Sequence, residues 1–326
     1  MKKYIQKNLT EAFRKGNVPG EKVLPIHRKM VISNVFILEN RVYKIYKDGN
    51  DFYNKNFRDI STKEKRFDFT KMDFDWNRNL TKNIYLELKG CRLNRGSVEF
   101  VDFNFADELA IVMKKFEEKS LLSNLLQEKS LTLENFFEIG KQLGQIISGM
   151  SKLNSRMNLS EIMELRLVDV KNWLDTVKEY ISKETREKIF QVLDNKFADY
   201  KKVVKNEKDK GVCPDTHLEN LIFENGKISI IDSYPPKEIW KVADFSTNFY
   251  RLGADVLMIA GDEAFQKMKE GYLSSGIYFN DECEDFLIFY AALIDWPYLY
   301  MLGKKDPNKM KLAEKFSDSI KKRYLI

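Results

Sequence analysis

Apolar-rich stretches at Val31 to Leu38 and Arg41 to Lys47 flank the tight polar turn Glu39-Asn40, and together they predict a β-hairpin. Residues 62–80 follow another rhythm. Phe67, Met72, Trp76 and Leu80 recur at helical spacing among charges, which predicts an amphipathic helix. Strand-like runs follow at Ile84–Leu88, Ser97–Phe103 and Leu109–Met113. After Phe116 the pattern turns helical. Leu121 to Leu125 starts a short helix, and Thr132 with Glu134 opens a longer one whose core face would carry Phe136, Ile139, Leu143, Ile146 and Met150. Ser160 and Thr185 are the N-caps predicted for two further helices, ending near Tyr180 and Val204. One island of β pattern interrupts the helices: Leu221 to Phe223 and Ile228 to Ile231 flank Glu224-Asn225-Gly226-Lys227, and Asn-Gly is a strong hairpin signal. Helices resume from about Ile239 to the C-terminus.

The pattern predicts an α+β fold in two lobes, a small β-rich lobe over residues 1–116 and a larger helical lobe over 117–326. A chain of 326 residues exceeds the usual size of one core, which agrees with two lobes. The longest apolar run, around Phe286 to Leu302, contains Asp295 and Pro297 and predicts a buried helix, not a membrane span. The N-terminus MKKYIQKNLTEAF lacks the apolar core of a signal peptide, so a cytoplasmic setting is expected. The net charge of +6 comes from 55 basic and 49 acidic groups spread along the chain. Acids interrupt even the densest basic stretch, Lys201 to Lys210, which reads as a solvated helix end or loop and predicts no nucleic-acid partner. Cys91, Cys213 and Cys283 are odd in number and far apart, so they form neither a disulfide framework nor a metal cluster.

The candidate chemistry lies in Val212-Cys213-Pro214-Asp215-Thr216-His217-Leu218-Glu219-Asn220, the hairpin after it, and Ile231-Asp232-Ser233. Phosphoryl transfer needs a carboxylate to orient and deprotonate the attacking hydroxyl, and oxygen ligands that hold magnesium against the phosphates. Asp215 and Asn220, five positions apart, match the spacing of a kinase catalytic loop, whose Asp is the base and whose Asn binds metal. Asp232, just after a hairpin strand, stands where the second metal-binding Asp belongs, and the hairpin is expected to return it beside Asn220. Each of these residues taken alone is an ordinary turn former; their order is what points to catalysis.

Cys213 to Asn220 resembles the HGDxHxxN loop of the aminoglycoside phosphotransferase-like kinases, in particular a bacterial subgroup of small-molecule-kinase-like proteins. Val42-Tyr43-Lys44 is similar to that subgroup's VYK strand, and Asn77-Arg78-Asn79-Leu80 to its helix ending NRRL. Ala110-Ile111-Val112-Met113-Lys114-Lys115-Phe116 resembles its AVVMRRF strand and hinge. The resemblance spans about residues 31 to 255 and implies the two-lobed protein-kinase-like fold. By the same resemblance Asp215 is the catalytic base, Asn220 and Asp232 hold Mg2+, and Lys44 pairs with the phosphates of ATP. Lys47, on the opposite face of that strand, is the rival for Lys44. Asp73 falls where the helix supplies a glutamate partner, Val112 and Met113 fall in the segment whose backbone faces adenine, and Ser33 or Asn34 fall where a loop contacts phosphate.

Three departures stand out: Cys213-Pro214 in place of His-Gly, Asp73 in place of Glu, and Lys29 to Asn34 where a glycine-rich loop is expected. His217 keeps the loop's second histidine and is expected to make a loop-organising hydrogen bond. In Trp240-Lys241-Val242-Ala243-Asp244-Phe245, similar to a WxDxxxD helix, Asp244 is expected to brace a helix end or loop. Asp281, Glu282, Glu284, Asp285 and Asp295 are acids open either to solvent or to a cationic or polyhydroxyl substrate. The reading is an ATP- and Mg-dependent phosphotransferase acting on a hydroxyl of a small molecule, with no nucleic-acid or membrane partner. The alternative is a pseudokinase that binds nucleotide and serves as a regulator or scaffold. Nucleotidyl transfer or phosphorylation of a protein fits the same motifs.

Overall fold

The computed structural model describes residues 2–326 apart from 22, 31, 49–50, 52–53, 55–57, 151–156, 205–210, 213, 234–241, 244, 278–280 and 305. Cys213, Trp240, Lys241 and Asp244 thus lie outside the described residues. The chain falls into two units, Met1–Glu117 with Ser229–Lys237, and Glu118–Ile228 with Glu238–Ile326. The fold is α+β, a small antiparallel sheet unit and a helical unit.

The first unit is built on six strands: β1 (Ile26–Lys29), β2 (Ser33–Ile37), β3 (Arg41–Tyr46), β4 (Tyr85–Asn94), β5 (Ser97–Val101) and β6 (Glu108–Lys114). They pair antiparallel in the order β1-β2-β3-β6-β4-β5. Side chains alternate across each strand. Tyr43 and Ile45 of β3 therefore join Phe36, Ala110, Val112, Leu9 and Phe13 in one apolar cluster. Leu9, Ala12 and Phe13 come from helix α1 (Lys2–Arg14), and their i, i+3, i+4 spacing buries one stripe against the sheet.

Helix α2 (Lys63–Leu80) starts where Thr62 accepts a hydrogen bond from the Lys65 N–H. Its buried face differs from the sequence expectation. Phe67, Met72, Trp76 and Leu80 are only half-buried, and the buried stripe is Arg66, Phe69, Thr70, Asp73, Phe74 and Asn77. Much of that stripe is polar because it meets polar partners, so apolar spacing alone pointed to the neighbouring face. Arg66 forks onto Glu108 of β6, with Nε–Oε2 at 3.1 Å, and Gln6 of α1 donates to the same carboxylate at 3.2 Å.

The second unit carries α3 (Leu122–Gln127), α4 (Leu133–Ser148), α5 (Leu159–Asp175), α6 (Lys183–Val203), α7 (Phe245–Ala260), α8 (Asp262–Leu273), α9 (Glu284–Gly303) and α10 (Pro307–Tyr324). The long α4 buries Phe136, Ile139, Leu143 and Ile147, while Ile146 and Met150 pack only partly. Two caps fall upstream of the expected residues. Asn158 and Glu161 close a reciprocal capping box on α5, and Ser182 caps α6, because each has its acceptor three residues before the orphan N–H it satisfies. The α5 helix ends at Asp175, short of the expected Tyr180. Where α4 crosses α8, a Cβ on Gly140 would lie 1.9 Å from the Met268 carbonyl and one on Gly271 2.0 Å from that of Phe137, so both positions require glycine.

Helix α9 is long and apolar enough to cross a membrane, but 78% of its apolar window is buried inside the protein, where Leu287, Leu293 and Trp296 belong to the main apolar cluster. Strands β7 (Gly211–Val212), β8 (Leu221–Glu224), β9 (Lys227–Ile230) and β10 (Val242–Ala243) form two small two-stranded sheets, β10-β7 and the hairpin β8-β9. Asn225 and Gly226 at the hairpin turn have φ of 52° and 72°, the left-handed pair that an Asn-Gly turn supplies at low cost.

Candidate active site

In the first unit, the alternation of β3 turns Lys44 and Tyr46 away from the apolar cluster toward α2. Lys44, 5% exposed, reaches Asp73 at 3.2 Å and also bonds Asp232. Asp73 is fully buried and accepts from the Tyr46 hydroxyl at 2.7 Å and the Asn77 side-chain amide at 3.0 Å. Burial works against the charge on Lys44, but the carboxylates of Asp232 and Asp73 outweigh it and hold its pKa well above the ordinary lysine value. Burial pushes the Asp73 carboxyl up, and Lys44 and the Tyr46 hydroxyl draw it part of the way back.

Asp232 is held by its own short segment. The Thr81 hydroxyl bonds both the N–H and the C=O of Ile230, at 3.0 and 2.7 Å. The Asp232 N–H donates to the Tyr85 hydroxyl at 2.7 Å, and the Ser233 N–H to Asn77 Oδ1 at 3.0 Å. These bonds fix Asp232 at a φ of 53°, a left-handed conformation that costs a non-glycine residue ~1 kcal/mol or more. Its side chain stays about half exposed.

Lys47 bonds the Met30 carbonyl at the surface, away from Asp73. Ser33 is buried at the start of β2 opposite Tyr46, and Asn34 Oδ1 meets His27 Nε2 at 3.0 Å. Val112 lies between Tyr43 and Glu87, and Met113 between Val42 and Tyr85, so both are inside the sheet ladder. A backbone contact from either to a base would compete with those ladder bonds.

In the second unit, Pro214 to Asn220 forms a tight loop. The Thr216 N–H bonds the Pro214 carbonyl at 2.9 Å, and the Asn220 N–H the His217 carbonyl at 2.9 Å. Asn220 Nδ2 donates to the Asp215 carbonyl at 3.0 Å. His217 organises the loop as expected: Nδ1 accepts from the Glu219 N–H at 3.3 Å and the ring meets Tyr298 edge-on. Its Nε2 is 3.8 Å from Asp215 Oδ2.

Sequence reasoning missed what lies beneath this loop. Arg251 of α7 donates from Nη2 to Asp215 Oδ1 at 3.0 Å and from Nη1 to Asp295 of α9. One helical turn on, Asp255 accepts from the Leu218 N–H at 3.3 Å. Burial opposes the charge on Asp215, but Arg251, with His217, holds its carboxyl below the usual aspartate range. Burial and the neighbouring Asp295 push Asp255 well above it. Asp295 is buried against Arg251, so it is neither a solvated nor a substrate-facing acid, while Asp281 and Glu284 pair with Lys269 and Asp285 with Lys196. The available signal was an Arg and an Asp four residues apart on one face of the otherwise largely apolar stretch Phe249 to Ala260.

Magnesium takes hard oxygen donors, one or two from protein, and completes its octahedron with water and phosphate. In the first unit Asp232 has a half-exposed carboxylate; in the second, the Asn220 side-chain amide nitrogen is committed to the Asp215 carbonyl. Among the described residues, no group of three or more His, Cys, Asp or Glu is gathered to enclose a metal with protein ligands alone.

Among solved structures, the chain aligns with a choline/ethanolamine kinase family protein from Mesorhizobium loti at a TM-score of 0.56 and 11% identity, over 98% of this chain and 95% of that one. It aligns with the GDP complex of aminoglycoside 2′-phosphotransferase-IIIa at 0.51 and 9% identity, over 93% and 92% of the two chains. A thermostable mutant of aminoglycoside phosphotransferase APH(4)-Ia matches at 0.50 and 9%, over 98% and 99%. No protein-family model and no curated protein sequence matches. At these identities the likeness is one of fold: the chain has the two-lobed kinase-like fold of these proteins.

Proposed function

We propose that this protein is a cytoplasmic phosphotransferase that moves the γ-phosphoryl group of ATP, with Mg2+, onto a hydroxyl of a small molecule. The observation that carries this reading is the buried lysine of β3 between two carboxylates. Removing Lys44 and Asp73 from water gains less stability than apolar packing of the same volume. A fold that keeps Lys44, Asp73 and Asp232 together therefore holds a cation in readiness for polyanionic phosphate. Asp73 makes the pair despite its shorter side chain, which removes one of the reasons for reading the chain as a pseudokinase.

The roles follow from the chemistry of each group. Lys44 steadies the phosphates, and Asp73 and Tyr46 keep the lysine in place. Asp215, ionised with Arg251 beside it, accepts the proton of the acceptor hydroxyl. The acceptor oxygen forms its bond to Pγ as the bond from Pγ to the bridging oxygen breaks, and ADP leaves with that electron pair. Magnesium, with oxygens of Asp232 and Asn220 as its protein donors, would neutralise charge on the phosphates. The kinase-like neighbours support a nucleotide substrate, and one of them is a GDP complex.

The test is thermal unfolding with ATP, GTP, and each with magnesium, followed by phosphate transfer from ATP into a pool of small metabolites. ATP with magnesium should raise Tm, since a ligand that binds only the folded state stabilises it by mass action. No shift with any nucleotide sinks the proposal. A shift without transfer to any metabolite selects the pseudokinase.

A further inference from the structure

Arg251 bonds Asp215 directly, and its setting is unusual for a salt bridge. Its side chain is 11% exposed and Asp295, its other partner, 4%, whereas Asp215 is 36% exposed. The guanidinium therefore spans from a buried acid on α9 to a partly open acid on the loop. Both ends are anchored. The main chain of α9 is tied by the Trp173 indole N–H to the Ile294 carbonyl at 2.9 Å, next to Asp295. On α7, Asp255 grips the Leu218 N–H, so the helix holds the loop at two points three residues apart.

From this geometry we propose that Arg251, oriented by Asp295, is a positioning residue that fixes the Asp215 carboxylate by Oδ1 and presents Oδ2 to the acceptor hydroxyl. The proposal rests on the phosphotransferase reading and adds to it the device that aims the base. The proton passes from the acceptor hydroxyl to Oδ2, the oxygen that Arg251 does not engage, as the acceptor oxygen forms its bond to Pγ and ADP leaves. Two carboxylates on a single planar fork suit arginine and no other side chain. A lysine carries one compact head and cannot hold both acids in fixed relative orientation. Asp255 supports the loop backbone, while Arg251 sets the direction of the reacting group, so the two contacts divide the work.

The experiment is a double-mutant cycle on Mg-ATP turnover with water as the acceptor, using wild type, Asp215→Asn, Arg251→Met and the pair. Misaiming a reacting group costs on the order of 100-fold, so Arg251→Met should lower kcat by about that factor with little change in KM for ATP. In the Asp215→Asn background the same change should lower kcat less than about twofold, because there is no base left to aim. Arg251→Lys should rescue little, and Asp295→Asn, the milder variant should Arg251→Met fold poorly, should lower kcat by an intermediate factor. Equal losses from Arg251→Met in both backgrounds, or a rise in KM with kcat unchanged, overturns the proposal. Turnover that is insensitive to Asp215→Asn refutes the base itself, a separate failure. Amide hydrogen exchange over 215–220 gives a readout without turnover: it should quicken in Arg251→Met, and unchanged exchange also overturns the clamp.

Discussion

Replacing Lys44 by methionine is the most informative single change in the sheet unit, because it keeps the aliphatic stem and deletes only the charge. It leaves Asp73 buried with two donors, Tyr46 at 2.7 Å and Asn77 at 3.0 Å, where it had three. Stripping one partner from a buried ion pair usually costs about 3–5 kcal/mol. Here the Asp73 carboxyl is already displaced upward by burial and can take a proton, which brings the expected cost to about 2–3 kcal/mol. The partner change, Asp73→Asn, preserves shape but turns one acceptor into a donor. Because Lys44 and Tyr46 share Oδ2 while Asn77 uses Oδ1, one of these donors then faces an NH2 group. Lys44 keeps Asp232, so the cost should be about 1.5–3 kcal/mol. The double variant should lose at least ~1 kcal/mol less than the sum of the singles. Urea unfolding of the four proteins measures the cycle, and the Mg-ATP thermal shift is read on the same samples. Lys44→Met should lose most of the shift, and Lys47→Ala should keep it with a stability change of about 0.5 kcal/mol or less. Strict additivity would remove Asp73 as the partner of Lys44. A severe loss of the shift in Lys47→Ala alone would mean that the wrong face of β3 had been assigned to nucleotide.

Three other outcomes follow from the same contacts. Asp232→Asn should abolish most of the magnesium-dependent part of the ATP thermal shift, checked by titrating magnesium at fixed ATP. Asp255→Asn should gain stability relative to wild type as pH rises from about 4, the unfolded carboxyl pKa, toward the raised folded value, because only the wild type must give up a proton on unfolding; urea midpoints from pH 4 to 8 test the slope, and a constant difference contradicts it. Glu108→Gln should destabilise by about 2–4 kcal/mol, since it leaves the buried Arg66 guanidinium without its counter-charge, and unfolding with and without Mg-ATP measures whether α2 still delivers Asp73.

The strand periodicity and turn chemistry were readable from the chain because they are local. Asn225-Gly226 dictates its own turn, and the apolar flanks of Glu39-Asn40 define β2 and β3 within a residue or two. The face of α2 was misread because its buried stripe is satisfied by polar groups far away in sequence, Lys44 and Tyr46 on β3 and Glu108 on β6, which no helical period encodes. The caps of α5 and α6 slipped because several residues near each start can serve. Asn158 and Ser182 win by placing an acceptor three residues ahead of a bare N–H. Asp215, Asn220 and Asp232 stood out by order and spacing. Arg251 and Asp255 did not, because charged residues inside an apolar helix announce burial without naming their partner.

If Asp215 is the base of a phosphoryl transfer, ATP consumption in a cell-extract metabolite pool must differ sharply between wild type and Asp215→Asn. The substitution removes the proton acceptor while keeping shape, so turnover should fall by roughly 100-fold or more, the usual scale for losing general-base help. The Mg-ATP thermal shift should stay within error of wild type, because Asp215 is assigned to the acceptor proton and not to the nucleotide. Equal ATP consumption by the two proteins, at equal nucleotide binding, would contradict the account.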